Sequence, residues 1–288
     1  MTAATTTTVA PRRKVKRRRR GGRFGLAFFG AAVLVLWVVV ACLAHLIAPY
    51  EPNLTDMSAR LVGPSLAHPF GTDTLGRDVL SRVLHGARVT LWSSLTVIAV
   101  GALIGTIVGG IAAYAGRWVG ELMMRVTDLV MCFPPIILAM AIAAALGVGT
   151  TNTIIAMLIV WWPKFARLAR SLVLVQLRQE YVEAAHVIGY GPVRILLRHI
   201  APNAIGPLIV LMTVDLGAAI ITFASLSFLG LGVVPPTAEW GAMIAEGREF
   251  FDQWWIATFP GLAILSVVMA FNFLGDSVRD WLDPRTRS

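Results

Sequence analysis

An all-α membrane protein with six transmembrane helices is the fold that the sequence predicts. Hydrophobic residues make up 57% of the 288 positions and charged residues only 14%, a balance unlike that of soluble globular domains. A membrane span needs about 20 apolar residues. Six apolar runs approach or exceed that length, at residues 24–48, 89–115, 122–146, 151–168, 204–231 and 256–276. The fourth run is the weakest, because Pro163 and Lys164 end its uninterrupted apolar part early.

Residues 1–23 form a basic tail ahead of the first run. Nine of residues 12–23 are basic and none is acidic, so the tail accounts for the whole formal net charge of +9. We interpret it as a positive-inside topology anchor, and contact with anionic membrane lipids is compatible with that role. Nucleic-acid binding is disfavoured, since no aromatic residue interleaves the basic run. The following run lacks a convincing cleavage site, which favours a retained span over a signal peptide.

Residues 24–87 are predicted to hold the first span and an external segment. The segment opens with Pro49, Pro52 and Pro64, which favour extended backbone. Residues 73–82 (DTLGRDVLSR) then have the pattern of a short amphipathic helix lying at the membrane surface. Asp78 and Arg82 stand four residues apart, a favourable helical pair.

The longest polar break in the second half of the chain covers residues 179–203. Apolar residues recur at helical spacing on both sides of the sequence GYGP at 189–192. Glycine commonly ends a helix and proline commonly begins one. The pattern therefore predicts two short amphipathic helices joined by a tight turn at a membrane surface. Taken alone, such a pair could merely connect two spans.

The amino-acid sequence of this polar stretch resembles the EAA loop of ATP-binding-cassette import permeases. It has Glu-Ala-Ala at 183–185, a glycine at 189 and a proline at 202, while an alanine at 201 replaces the usual leucine. The resemblance implies that residues 179–203 form the cytoplasmic coupling helix that docks on an ATPase subunit. The predicted coupling residues are Glu183, Ala184, Ala185, Gly189, Tyr190, Gly191, Arg194 and Pro202.

Three further stretches are similar to the C-type permeases of dipeptide and oligopeptide importers. They are HPFGTDTLGRDVLSR at 68–82, SLSFLGLG at 225–232, and residues 235–248 with Glu-Trp-Gly at 239–241. The resemblance covers about residues 68–283 and implies a type I ABC importer permease fold. It also implies four partners: a homologous B-type permease, two ATPase subunits and an external substrate-binding protein. Permeases for nickel and other small solutes share these motifs, so the substrate stays open.

Loop charges predict the orientation. If the tail is cytoplasmic, six spans place residues 116–121, residues 179–203 and the C-terminus on the same side. These carry Arg117, Arg194, Arg198 and Arg279, whereas the opposite loop at 233–255 has four acidic residues against Arg248 alone. This asymmetry follows the positive-inside rule. We therefore expect both termini in the cytoplasm of a bacterial inner-membrane protein, with residues 88–288 forming a five-helix permease core.

The sequence gives no sign of catalytic residues, a metal site or a cofactor of its own. There are three lysines, and none lies in the Gly-Lys-Ser/Thr sequence that a phosphate-binding loop requires, so ATP would be bound by partner subunits. Cys42 and Cys132 stand alone in apolar runs, which favours core packing over a disulfide or metal ligation. The five histidines lack zinc-site spacing.

Polar residues inside the spans are the remaining candidates. Asp215 lies about 16 Å along its predicted helix, where a charge costs at least about 2.5 kcal/mol. It should therefore face the substrate pathway or a buried partner, and both remain open. Asn272 is a weaker pathway candidate, since asparagine commonly bridges helices. Asp128 and Arg125 are expected to form a structural pair.

We therefore predict a permease subunit that forms half of the translocation pathway of an ATP-driven peptide importer. Two alternatives stay open. A secondary transporter driven by an ion gradient would use Asp215 as its ion or proton site. A structural membrane scaffold would depend on the lipid-binding tail.

Overall fold

The protein is all-α in the computed structural model, which describes residues 21–282. The helices are α1 (Gly21–Ile47), α2 (Val79–Tyr114), α3 (Gly116–Met131), α4 (Pro135–Leu146), α5 (Thr150–Gln176), α6 (Glu180–Val187), α7 (Pro192–Ile195), α8 (Ala201–Phe228), α9 (Trp240–Gly247) and α10 (Trp255–Leu282). A 3₁₀ turn at Met57–Ala59 and a π turn at Leu196–Ile200 complete the described elements. Within residues 21–282 there is no β-strand, only one isolated bridge between Thr72 and Asp78. Most of the predicted basic tail lies outside the described residues.

Four of the described helical stretches are long and apolar enough to cross a membrane. They are α1, α2, the continuous stretch Pro192–Phe228 and α10. Helices α3 and α4 meet at 88° and would add a fifth as one broken span. The remaining predicted run forms α5, which is 27 residues long but carries Lys164, Arg167 and Arg170 in its second half. The polytopic all-α fold is thus confirmed, and polarity sets α5 apart from the other five predicted spans.

The break between α3 and α4 occurs at two consecutive prolines. Pro135 occupies the first position of α4 and Pro134 precedes it with extended backbone. A proline removes a helical hydrogen bond and restrains the residue before it, so α3 cannot continue through this point. The predicted run at 122–146 is consequently one sharply bent unit.

Helices α2 and α5 pack at the centre of the molecule through glycine contacts. A Cβ on Gly105 would lie 2.3 Å from the Trp162 carbonyl oxygen, and one on Gly109 would lie 2.2 Å from that of Ala166. Larger residues at either position would force the helices apart. Phe165 and Ile98 lie in the buried apolar core that this approach creates.

The predicted surface helix at residues 73–82 is wrong. Gly76 adopts a left-handed conformation with φ of +72°, which interrupts any helix at that point. Asp78 instead caps α2, accepting hydrogen bonds from the Ser81 backbone N–H and hydroxyl at 2.7 Å. The predicted pair of Asp78 with Arg82 is also absent from the described contacts, because Asp78 contacts the His68 ring at 2.9 Å. The second span therefore begins at Val79, ten residues before the predicted run.

Helix α9 is seated between α2 and α8 on the side opposite residues 179–203. Its Trp240 is fully buried, and the indole N–H donates to the Val83 carbonyl oxygen at 2.9 Å. A Cβ on Gly241 would lie only 2.1 Å from the Ala224 carbonyl oxygen. Only glycine permits this approach, so α9 belongs to the packed body of the protein.

Candidate functional site

Residues 179–203, here called the coupling segment, begin with the predicted short helix, α6, and the predicted tight turn. The second predicted short helix is wrong, because α7 continues through the π turn into α8 as one stretch, Pro192–Phe228. Gly189 makes the turn with φ of +88°, and its N–H donates to the His186 carbonyl oxygen at 2.9 Å. Tyr190 donates its N–H to the Ala185 carbonyl oxygen at 3.1 Å, which closes the end of α6. Pro192 then occupies the first position of α7, where its missing N–H has no helical partner to lose.

The coupling segment is fixed to the membrane helices by its apolar face. Val182 and Ala185 from α6 form a buried cluster with Ile195 and Ile200. This cluster also includes Val173 of α5. It packs against Ala113 and Tyr114 at the end of α2, Leu177 just after α5, and Tyr190 and Leu196 of the segment itself. The segment is therefore seated on the adjacent ends of α2 and α5, so a displacement of the segment would displace both helix ends.

Aromatic and polar contacts hold the same segment laterally. The Tyr181 hydroxyl bonds the Gln176 side chain at the end of α5 and accepts from the Asn203 amide at 3.2 Å. On the other side, the Arg194 guanidinium lies 4.2 Å from the centre of the Tyr190 ring. These contacts join α5, α6, α7 and α8 around one small unit.

The outer face of the coupling segment is exposed and partly apolar. Of the eight predicted coupling residues, Ala185 is buried, Tyr190 is half-buried and the other six are exposed. Exposed apolar side chains surround them: Val187 is 88% exposed, Ile188 70% and Val193 68%. Several exposed apolar side chains in one short segment are typical of an interaction surface. Glu183 and Arg194 are exposed in the same segment.

An ion cluster that the sequence did not reveal lies at the end of α2 remote from the coupling segment, formed by Asp73, Arg77, Arg82 and Glu246. We call it the external ion cluster, because its segment is the one predicted to be external. The Arg77 Nε donates to Asp73 Oδ2 at 2.6 Å, and Arg77 Nη2 donates to Glu246 Oε2 at 3.1 Å. Arg82 lies 3.4 Å from Asp73 and donates to the Pro52 carbonyl oxygen at 3.2 Å. The first three side chains are at least 94% buried. This cluster binds residues 49–78 to α2 and α9.

Glu239, known from the sequence only as part of a motif, is a fully buried carboxyl group at the start of α9. It accepts from the Thr90 hydroxyl at 3.0 Å and from the Ala242 backbone N–H at 2.9 Å. Burial raises the pKa of Glu239 above its ordinary value, because the charged form is poorly solvated there. It therefore caps α9 while joining it to α2.

Asp215 has a partner within the chain, because it forms an ion pair with Lys164 of α5. The Lys164 Nζ donates to the two carboxylate oxygens at 2.9 and 3.0 Å. The Asp215 side chain is 5% exposed, whereas that of Lys164 is 48% exposed. Asp215 therefore holds Lys164 at the level of the α8 midpoint.

Asn272 does not join this pair. Its Oδ1 would lie 3.8 Å from a Cβ on Gly217, which is about 200° around α8 from Asp215 at 100° per residue. Asn272, which belongs to α10, therefore lies beside a different face of α8 from the one that carries Asp215.

The expected pair of Asp128 with Arg125 is wrong. Asp128 accepts from Arg167 Nη2 of α5 at 2.5 Å, and Arg125 lies 3.7 Å from Glu121 one turn away. Arg125 therefore pairs with Glu121, four residues earlier on α3. Asp128 pairs with a residue of the neighbouring helix α5. Cys42 and Cys132 are exposed rather than packed in the core.

Comparisons with known proteins agree on one family. Residues 101–288 match the family model described as binding-protein-dependent transport system inner membrane component. The chain is 46% identical to the glutathione transport system permease protein GsiD of Escherichia coli over 267 residues, which cover 92% of this chain and 88% of that protein. It is 45% identical over 259 residues to a Brucella suis protein named as a peptide transport system permease, covering 90% and 87%.

A solved structure supports the same architecture. The chain is similar to a chain of the MetNI methionine ABC transporter in an inward-facing form, with a TM-score of 0.54. The match covers 71% of this chain and 98% of that chain at 17% identity. At this identity the likeness shows the fold alone, which is that of a type I ABC importer permease.

Proposed function

The chain belongs to the family of binding-protein-dependent transport system inner membrane components, and from that premise we propose that it is a permease subunit of an ATP-driven importer for di- or oligopeptides. The names of its relatives, which refer to peptide and glutathione transport, support this substrate class. In this proposal the chain forms half of a pathway completed by a homologous B-type permease. Two ATPase subunits bind ATP, and an external binding protein delivers the substrate.

The observation that carries the proposal is the two-sided construction of the coupling segment. Its inner face is buried against α2 and α5, while its outer face exposes Glu183, Arg194 and the apolar Val187. The buried face fixes the segment to the helix ends, and the exposed apolar side chains leave a surface that a partner protein can cover. Docked on an ATPase, the same surface would transmit movement directly to two spans.

ATP-driven closure of the two ATPases would move the coupling segments relative to each other. Such movement can shift the permeases between inward-facing and outward-facing states only if contacts differ in free energy between those states. The exposed groups of the segment provide contacts with the ATPase that can change in this way. The buried cluster under Val182 transmits the displacement to the spans.

The orientation and the division of the chain are part of the same proposal. Residues 1–23 form a cytoplasmic tail, residues 24–87 the first span with an external segment, and residues 88–288 the permease core with its coupling loop at 179–203. Both termini then lie in the cytoplasm. A cysteine-directed label should fail to reach position 8 from outside intact cells and should reach position 246, and the reverse at either position would overturn this orientation.

A carrier driven by an ion gradient is not favoured. Asp215 would be its ion or proton site, yet the carboxylate is already paired with Lys164. Family membership also favours import driven by ATP. Uptake that requires ATPase subunits, and does not require a pH gradient, separates the two functions.

The test of the proposal uses Glu183→Ala and Gly189→Val in the assembled complex. Loss of a charge-assisted contact costs about 1.5–3 kcal/mol, so Glu183→Ala should weaken ATPase docking roughly tenfold to hundredfold. Gly189 has open space around its Cβ position, so valine there strains only the left-handed backbone. Both variants should insert normally and lose substrate-stimulated ATP hydrolysis.

Gly261→Val is a matched control for the glycine substitution. Gly261 also has open space at its Cβ position but lies within α10, and its φ is not positive. It should retain ATPase binding and uptake. Wild-type uptake by both coupling variants, with the ATPases still bound, would contradict the assignment.

A further inference from the structure

The cytoplasmic-side half of α5 carries a row of three cations, Lys164, Arg167 and Arg170, which we call the α5 cation row. The residues are spaced three apart, so they occupy neighbouring positions on one broad face of the helix. Lys164 and Arg167 are about half exposed, and Arg170 is half-buried. The first two are the cations of the ion pairs with Asp215 and Asp128.

The depth of the row indicates that it faces water rather than lipid. Lys164 is the fifteenth residue of the 27 in α5, about 21 Å from the start at 1.5 Å per residue. Its partner Asp215 is likewise the fifteenth of 28 residues in α8. A half-exposed ammonium group at mid-membrane is costly in hydrocarbon and usually faces a water-filled cavity or the interior of an assembly. The exposed side of the row therefore faces a water-filled cavity or another subunit.

The row also has more positive than negative charge. Three cations face the two carboxylates of Asp128 and Asp215 among the described residues. The Nε of Arg170 is buried and has no hydrogen-bond partner in the described part of the chain. An additional anionic group entering at this point would therefore be attracted, and guanidinium groups match a carboxylate with two parallel hydrogen bonds.

We propose that the α5 cation row is a transit site for a carboxylate group of the transported solute, such as the C-terminus of a peptide. The site deepens the proposed function and rests on it. A transit site must bind weakly enough to release its ligand, and the existing pairs provide this property because Asp215 and Asp128 compete for the same cations. A carboxylate of the second permease has the same chemistry, so the experiment separates the two sources.

The experiment uses the assembled importer in nanodiscs with Cys42 and Cys132 replaced by alanine. Ser171 is exposed and lies one turn after Arg167, so Ser171→Cys reports the charge beside the row. The reaction rates of this thiol with an anionic and a cationic methanethiosulfonate are compared. The anionic reagent should react faster, and Arg167→Gln should reduce the ratio about fivefold, because one charge at about 8 Å in water affects the two reagents oppositely.

Two matched variants control for structural effects. Arg167→Lys keeps the charge and should keep most of the ratio. Arg125→Gln removes a more exposed cation from α3, 73% against 54% exposed for Arg167, and should leave the ratio unchanged. An unchanged ratio in Arg167→Gln would overturn the proposal.

Dialanine and its C-terminal amide then test the ligand. Dialanine should slow labelling of the Ser171→Cys thiol at lower concentration than the amide does, and the difference should disappear in Arg167→Gln. Equal protection by both compounds, or no protection because a carboxylate of the second permease occupies the row, would contradict the transit site. ATP-dependent uptake is measured in the same particles after reconstitution into vesicles, so that failure of the peptide-importer proposal is seen separately.

Discussion

The external segment, residues 49–78, and the coupling segment differ in the exposure of their charged side chains. Around Asp73 and Arg77, charged side chains are almost fully buried and find their partners within the chain. Around Glu183 and Arg194, charged and apolar side chains are exposed together. Both segments lie next to helices that can cross a membrane, and both are anchored to α2. The first surface is complete within one chain, and under the proposed function the second is completed by an ATPase subunit.

This contrast has energetic consequences. Breaking a buried ion pair leaves an uncompensated charge and is strongly destabilising, whereas exposed charges contribute little to stability. Substitutions on the external side should therefore affect folding. Substitutions on the coupling surface should affect assembly and leave the isolated subunit folded.

The largest effect is expected from Asp73→Asn. Arg77 and Arg82 would remain buried with one carboxylate fewer, at a cost of about 3–5 kcal/mol in the free energy of unfolding. Thermal unfolding of the detergent-solubilised subunit would measure this as a large decrease in Tm and in yield. A Tm equal to that of the wild type would show that the external ion cluster contributes no stability.

Val187→Ser should produce a smaller effect, of a different kind. Val187 is 88% exposed in the isolated chain, so the subunit should keep its Tm. If an ATPase covers this side chain, docking should weaken by about 1.5 kcal/mol or roughly tenfold, measured by titrating ATPase onto the immobilised permease. Val182→Ser is the matched variant on the buried face of the same helix and should lower the Tm instead. Unchanged docking in Val187→Ser would remove this residue from the interface.

Glu239→Gln should change how stability depends on pH. Burial raises the pKa of Glu239, so its contribution is fully present below the unfolded pKa and is lost as the pH rises through the folded pKa. Glutamine can still accept from Ala242 and does not ionise. Across about pH 5 to 8, the Tm of the wild type should therefore fall relative to that of the variant. Parallel Tm profiles would show that Glu239 does not titrate in this range.

The smallest effect is expected from Arg125→Gln. Arg125 and Glu121 form an exposed pair four residues apart, with a separation of 3.7 Å. Such helical pairs contribute about 0.3–0.5 kcal/mol, so the Tm should hardly change. A loss comparable to that of Asp73→Asn would mean that exposure does not distinguish the two kinds of ion pair.

The sequence predicted α6 and the turn of the coupling segment because their geometry is local, but it did not predict that α7 continues into α8. The glycine at 189 and the proline at 192 determine a turn within a few residues, and the apolar spacing determines the buried face. The start of α2 was mispredicted for a local reason as well. The segment at 73–82 has helical amphipathicity, but Gly76 adopts a left-handed conformation that periodicity does not show.

Long-range pairs could not be predicted in the same way. Lys164 and Asp215 are 51 residues apart, and Arg77 and Glu246 are 169 apart. Neither spacing carries a periodic signal, and the choice between near and distant partners depends on helix packing. Asp128 illustrates this point. Arg125 lies three residues away in the sequence, yet Asp128 pairs with Arg167 on another helix.

The length of α2 has a mechanical consequence. Its 36 residues extend about 54 Å, well beyond the roughly 30 Å of a bilayer core. One end is capped by Asp78 next to the external ion cluster, and the other end contributes Tyr114 to the cluster under the coupling segment. Between them, the close contacts of Gly105 and Gly109 with α5 leave no room for independent sliding. Helix α2 therefore joins the coupling segment to the external ion cluster as one continuous element, and in the proposed transporter a displacement of one end would be transmitted to the other.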